Sequence, residues 1–232
     1  MEFVKRENEI FMTLNKLVDE KLDFVVVGGY AVSGLAKHRF SVDCDIVISK
    51  KERVKTETIL KRYGFEKDVE KTGFDETYAG EFVSYKKKVG QLPVTFDLLV
   101  GSLVCRTTGA AWSFDYIKKH SVEAVITGIE TLSNCSVPEK ELMTAFKSHA
   151  ARRTDLRDII MMTDGLDLNK VLVHLRKGKI DVLKTQISNM MEMLNDKKLV
   201  DSLKGVFTLT VDVKKQIEAT RNSMESLLKK LS

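Results

Sequence analysis

Apolar residues return at helical spacing at Phe3, Ile10, Phe11, Leu14, Leu17 and Val18, which predicts an amphipathic helix over residues 3–20. Residues 24–27 then run apolar without a break into Gly28-Gly29, the pattern of a buried strand. Residues 30–36 suit one or two helical turns, 42–48 a second strand, and 51–63 a polar-faced helix stopped by Gly64. Residues 81–89 and 94–100 flank Gly90-Gln91-Leu92-Pro93 and predict a hairpin. Residues 110–119 read as helix, with short strands at 122–126 and 129–132. After Pro138 the pattern turns helical throughout, over 139–152, 155–163, 168–176, 181–195, 197–204 and 211–231. The fold class is therefore α+β, a mixed sheet with flanking helices over 1–137 followed by a helical bundle over 138–232.

Charge sharpens that division. The 232 residues carry a formal net charge of +5, with 38 Lys+Arg against 33 Asp+Glu. Residues 1–137 are balanced at 20 of each, so the whole excess lies in 138–232. A basic helical half suits an acidic partner such as RNA or a nucleoside triphosphate, although a solvated helical surface has the same composition. No apolar run reaches the roughly 20 residues of a membrane span. The opening residues carry charge and no signal-peptide core. Cys44, Cys105 and Cys135 are odd in number and form no CxxC pair, which fits a reduced, cytoplasmic protein.

Two acids sit where apolar residues are expected. Asp43 and Asp45 alternate along the second strand, so both side chains point to one face, about 6.6 Å apart along the chain. Val42, Cys44 and Ile46 point to the other face, toward the core. Like charges on one face repel unless a cation or several donors neutralise them. Oxygen ligands on a strand suit Mg²⁺ or Mn²⁺ together with substrate phosphates. Asp97 interrupts a third apolar run, Val94-Thr95-Phe96-Asp97-Leu98-Leu99-Val100. If that strand pairs beside 42–48, three carboxylates meet at one end of the sheet. Gly28-Gly29 lacks the spacing of a dinucleotide fingerprint, and Leu35-Ala36 stand where a P-loop needs Lys and Ser/Thr. A glycine pair between strand and helix nonetheless lets an anion approach the backbone N–H groups. His38, His120, His149 and His174 have no metal-ligand spacing, and Lys86-Lys87-Lys88 reads as a solvated hairpin edge that discourages edge pairing.

The order Val27-Gly28-Gly29, Asp43-Cys44-Asp45 and Phe96-Asp97 resembles the nucleotidyltransferase superfamily of the DNA polymerase β type. Arg39-Phe40-Ser41-Val42-Asp43-Cys44-Asp45 is similar to its Arg-x-Thr-x-Asp-x-Asp run, with Ser41 in place of threonine. Lys147, followed by Arg153-Thr154-Asp155-Leu156-Arg157-Asp158, resembles the AbiEii-like toxin branch. The resemblance spans roughly residues 20–165 and implies a nucleotidyltransferase-type mixed sheet.

It also implies transfer of NMP from an NTP to a hydroxyl acceptor, tRNA or other RNA or a protein, in a toxin–antitoxin setting with a cognate antitoxin. Asp43, Asp45 and Asp97 would hold Mg²⁺ or Mn²⁺, with Asp97 as general base. Gly28, Gly29 and Ser33 would receive the β- and γ-phosphates, and Lys147 and Arg39 would neutralise their charge. Asp155 and Asp158 would stand near the catalytic centre or orient Lys147. The competing expectation is an inactive nucleotide- or RNA-binding module on the same fold.

Overall fold

The structure is a computed structural model that describes residues 2–207, 209 and 212–231. The chain divides into two compact units, Met1–Val104 with Ala111–Pro138, and Cys105–Ala110 with Glu139–Ser232.

In the first unit, α1 (Glu2–Asp19) leads into β1 (Phe24–Val27), α2 (Gly28–Leu35) and β2 (Asp43–Ile48). A short 3₁₀ turn precedes α3 (Arg53–Arg62), and β3 (Glu66–Lys71), β4 (Glu81–Val89) and β5 (Leu92–Val100) follow. These five strands form one sheet in the order β1-β2-β5-β4-β3. β2 and β5 run parallel, and the other neighbours are antiparallel. The mixture follows from connectivity: β4 and β5 share a tight hairpin, whereas β2 reaches β5 only through α3 and two strands. α1 buries Ile10, Phe11, Leu14 and Leu17 completely. Its Glu9 accepts a hydrogen bond from Lys87 Nζ at 2.6 Å, so α1 covers the sheet face that carries Lys87, Phe96 and Cys44. Phe65 closes on Phe96 edge-on, 5.3 Å between ring centroids. The opposite face carries Asp45, Asp97 and Ser84.

Several elements depart from the pattern of the sequence. β3 was not expected, because Glu-Lys-Asp-Val-Glu-Lys has no apolar alternation; it is an edge strand held by its ladder to β4 and capped with charge. Its Arg53 neighbourhood adds ion pairs to Glu57, Glu70 and Glu81. Residues 110–119 are not one helix. β7 (Ala110–Ser113) pairs with β6 (Ser102–Cys105), and α4 (Phe114–Lys119) starts where Ser113 Oγ accepts the N–H of Tyr116. The strand expected at 129–132 is a turn, closed by the Gly128 N–H donating to Thr131 O at 2.8 Å. It joins β8 (Ser121–Thr127) to β9 (Leu132–Pro138). Val42 lies outside β2 and is 49% exposed rather than in the core, while Cys44 and Ile46 are fully buried.

The second unit is helical: α5 (Lys140–Ala150), α6 (Arg153–Met162), α7 (Leu168–Leu175), α8 (Ile180–Met193), α9 (Leu199–Phe207) and α10 (Lys214–Leu231). The last helix was expected to begin at Val211, which lies outside the described residues. Leu142, Leu156, Leu175, Leu183, Met190 and Leu203 are buried at the helical spacing their sequence shows. The 105–110 segment belongs to this unit. There the fully buried His149 ring donates from Nε2 to Leu175 O and receives the Thr108 hydroxyl at Nδ1, at 3.1 and 2.8 Å. Among the described residues no helix is long and apolar enough to cross a membrane.

Candidate active site

β1 delivers its last residue, Val27, into register with Asp45 of β2. The chain must then turn at once from strand into α2, and Gly28 does so at φ +66°. A side chain there would be strained, and its Cβ would overlap the Asp45 carboxylate. Glycine is thus required twice over, for the turn and for the approach of an acid. A Cβ on Gly29 would come within 2.7 Å of Ser41 Oγ and 2.9 Å of the Arg39 guanidinium nitrogens. α2 has no side-chain cap at its N-terminus, so its first N–H groups keep the dipole's positive end beside these acids.

The parallel register of β2 and β5 sets the rest. Asp45 pairs with Asp97 and Asp43 with Thr95, so Asp45 and Asp97 stand side by side and Asp43 one row away, all on the face opposite α1. All three are half-buried. β4 contributes Ser84, registered with Asp97, whose hydroxyl donates to Asp97 Oδ1 at 2.6 Å. Burial raises the Asp97 pKa, Ser84 opposes, and the charges of Asp43 and Asp68 push it further up. Cys44, between the two β2 acids but on the buried face, has its thiol held well above the usual range by burial and then by Asp45.

Gly28, Gly29, Asp43, Asp45 and Asp97 are therefore brought together on one unit, with Arg39 over Gly29. The donor set is all oxygen, lies on rigid strands, and leaves room that a Cβ at Gly28 would fill. This fits a hard divalent cation such as Mg²⁺ or Mn²⁺. Ser33 is differently engaged. Its buried Oγ accepts from the Arg39 N–H at 3.3 Å and lies 3.4 Å from the Gly29 and Arg39 carbonyls, so it braces the loop after α2. The Tyr30 hydroxyl ties the same loop down by donating to Ser41 O at 3.1 Å.

Lys147 belongs to the second unit, and there it is 5% exposed. Its Nζ lies 3.0 Å from Asp155 Oδ1 and 2.8 Å from Asp158 Oδ2. Ala151, left-handed at φ +50°, ends α5 and turns the chain back so that α6 brings both acids onto Lys147. Asp155 also accepts the Arg152 backbone N–H at 3.1 Å and its Nε at 2.7 Å. Burial works against the charged form of Asp155, yet Arg152 and Lys147 outweigh it and hold the carboxyl below its usual value.

Sequence reasoning missed two groups near Asp97. Ser84 could have been noticed as a polar residue inside the apolar run Phe82-Val83-Ser84-Tyr85. Asp68 left no such trace among its charged neighbours.

No protein-family model matches this sequence. No curated protein matches it either. Solved structures do. The crystal structure of JHP933 from Helicobacter pylori aligns over 99% of this chain and 93% of its own, at 16% identity and a TM-score of 0.51. The solution structure of the antibiotic-resistance factor ANT(2'')-Ia aligns over 83% of this chain and 98% of its own, at 13% identity and a TM-score of 0.51. The chain has a nucleotidyltransferase-type fold. At these identities the likeness speaks of fold, and the chemistry rests on the residues.

Proposed function

We propose that this protein is a metal-dependent nucleotidyltransferase that transfers NMP from an NTP to a hydroxyl of tRNA, another RNA or a protein. The observation that carries the proposal is the register of Asp45 with Asp97 across parallel strands, with Asp43 one row away and Gly28 against Asp45. A binding module has no need of three like charges on one sheet face. Asp43, Asp45 and Asp97 would hold Mg²⁺ or Mn²⁺, which when bound neutralises phosphate charge and acidifies the acceptor hydroxyl.

The chain's own groups do the rest. The amides at Gly28 and Gly29, with the Arg39 guanidinium beside them, would orient the β- and γ-phosphates. Asp97 would receive the proton as the acceptor oxygen bonds to the α-phosphorus and the bond to pyrophosphate breaks. Its raised pKa favours that proton transfer. Ser84 would keep the carboxylate oriented through Oδ1. In the second unit Lys147 serves two carboxylates, Asp155 and Asp158. The similarity of the Lys147–Asp158 stretch to AbiEii-like proteins supports a toxin role with a cognate antitoxin.

The test is incubation with each labelled NTP, Mg²⁺, and total tRNA or cell extract. Label should pass to an acceptor with the native chain and fall at least about 10²-fold with Asp45→Ala. Equal silence of the native chain and Asp43→Ala/Asp45→Ala across all acceptors would sink the proposal.

A further inference from the structure

Two sheet edges of the first unit differ in character. β3 ends the five-stranded sheet, and every residue of it but Val69 is charged, which discourages pairing with another chain. β8 ends the smaller β8–β9 sheet, and Glu123 is its single charged residue.

Three observations fix which backbone groups of β8 face outward. Ser121 registers with Pro138, which has no N–H to give. The Gly128 N–H donates to Thr131 O across the turn. Leu132 O, opposite Thr127, accepts from Asn15 Nδ2 at 3.2 Å and so points away from β8. Bonded and non-bonded rows alternate in an antiparallel pair. Val122, Ala124 and Ile126 therefore bond to β9, while Glu123, Val125 and Thr127 direct their N–H and C=O groups to the open side. Among the described residues nothing takes these outward groups.

The two faces of β8 are equally distinct. Ala124 and Ile126 pack toward α2, where a Cβ on Gly34 would meet them at 3.4 and 3.2 Å. The other face holds Glu123, Val125 and Thr127, all exposed, with Leu132 registered beside Thr127. Val125 is 51% and Leu132 52% exposed. An open backbone edge beside exposed apolar side chains takes an extended strand.

Charge decides which strand. If β8 pairs with its own copy about a twofold axis, outward residues must meet outward residues. An axis at Glu123 sets two carboxylates face to face, and one at Ala124 sets each carboxylate against Val125. An axis at Val125 sets that valine against itself and Glu123 against Thr127, whose hydroxyl can donate to the carboxylate. The two Glu123 side chains then stand about 14 Å apart along the strands. Leu132 of each copy flanks the valines on the diagonal, so an apolar strip crosses the combined sheet.

We propose that β8 is a homodimer interface, two copies joined edge to edge and antiparallel about Val125. The proposal is independent of the reaction assigned to the acid row. One short strand makes a small interface, so the dimer should have a Kd on the order of tens of micromolar.

The experiment is sedimentation velocity of the full chain from about 5 to 200 µM, a range that brackets such a Kd. The native chain should pass from monomer to dimer. Val125→Lys places like charges against each other at the axis and should weaken association at least about tenfold. Val125 is exposed and faces away from α2, so this variant folds. Val125→Pro is the second probe: it removes an outward N–H at the centre of the pairing and none of the ladder to β9. It should also stay monomeric. Thr127→Lys sets an ammonium opposite Glu123 and should tighten the dimer several-fold at low salt, a gain that salt removes. A native chain that stays monomeric at the top concentration overturns the proposal and leaves the edge to a strand of another protein. A dimer that both Val125 variants leave intact, or that Thr127→Lys fails to tighten, overturns it too.

Discussion

Asp97 in the first unit and Asp155 in the second are both aspartates withdrawn from water, and their surroundings push them in opposite directions. Asp97 has a serine hydroxyl beside it, and burial, with the charges of Asp43 and Asp68, raises its pKa. Asp155 has Lys147, the Arg152 guanidinium and a backbone N–H, and its pKa is lowered. A carboxylate whose charge is matched inside the protein holds structure together. One left with like charges at the mouth of a glycine turn stores repulsion that a bound cation would relieve. The contrast separates acids that stabilise from acids that stand ready for a ligand.

The comparison is most exposed at Lys147. Replacing it by methionine keeps the length of the side chain and leaves Asp155 and Asp158 buried without their shared cation. Breaking a buried ion pair from one side costs about 3–5 kcal/mol, and Lys147→Met should lose that much in urea unfolding. A loss below about 1 kcal/mol would mean that the triad is not what orders α5 against α6.

Acid should divide the two units next. His149 is buried neutral, and burial lowers its pKa from 6.5 to about 4. Because the folded value lies below the unfolded one, its contribution is complete above pH 6.5. It drains away as pH falls toward 4, by about 3 kcal/mol in all. Asp155 adds nothing over that window, since its lowered pKa matters only below the ordinary value of 3.8. Asp97 has the reverse sign, because a raised carboxyl pKa makes the folded state bind protons more readily as pH falls. Hydrogen exchange resolved by peptide should therefore show α5 and α7 losing protection between pH 7 and 4.5 while β2 and β5 hold theirs. Parallel losses in both units would erase the distinction.

Much of this was legible in the residues themselves, and the rest was hidden for identifiable reasons. The α+β class and the helical C-terminal part follow from periodicity, and Asp43, Asp45 and Asp97 stand out as acids in apolar runs. Their side-by-side placement is not local information. The register of β2 with β5 is set across more than fifty residues and a parallel pairing, which no short pattern states. β3 was invisible because an edge strand can be built from charged residues when its neighbour supplies the ladder, and Asp68 was invisible with it. Residues 110–119 misled because Ala-Ala-Trp suits helix and strand alike; pairing with β6 decides for strand, and Ser113 then starts a new helix. Lys86 and Lys88 looked like edge protection until the strand order put β4 inside the sheet.

The smallest effect is the most discriminating. Asp97→Asn keeps the shape of the side chain and an oxygen that can accept the Ser84 hydroxyl, while it removes one charge from a row of like charges. Without a metal bound, its unfolding free energy should stay equal or rise by up to about 1 kcal/mol, the range in which a strained functional group is replaced by a neutral one. With Mg²⁺ present the order should reverse, because only the native carboxylate gains from the cation and the gain follows mass action. The measurement is a pair of thermal or urea unfolding curves, with Mg²⁺ and with chelator. If Asp97→Asn is destabilised by 2 kcal/mol or more under both conditions, Asp97 is a structural acid of the same kind as Asp155. The difference between the two units would then be one of degree, and the sheet face would lose its strongest claim to chemistry.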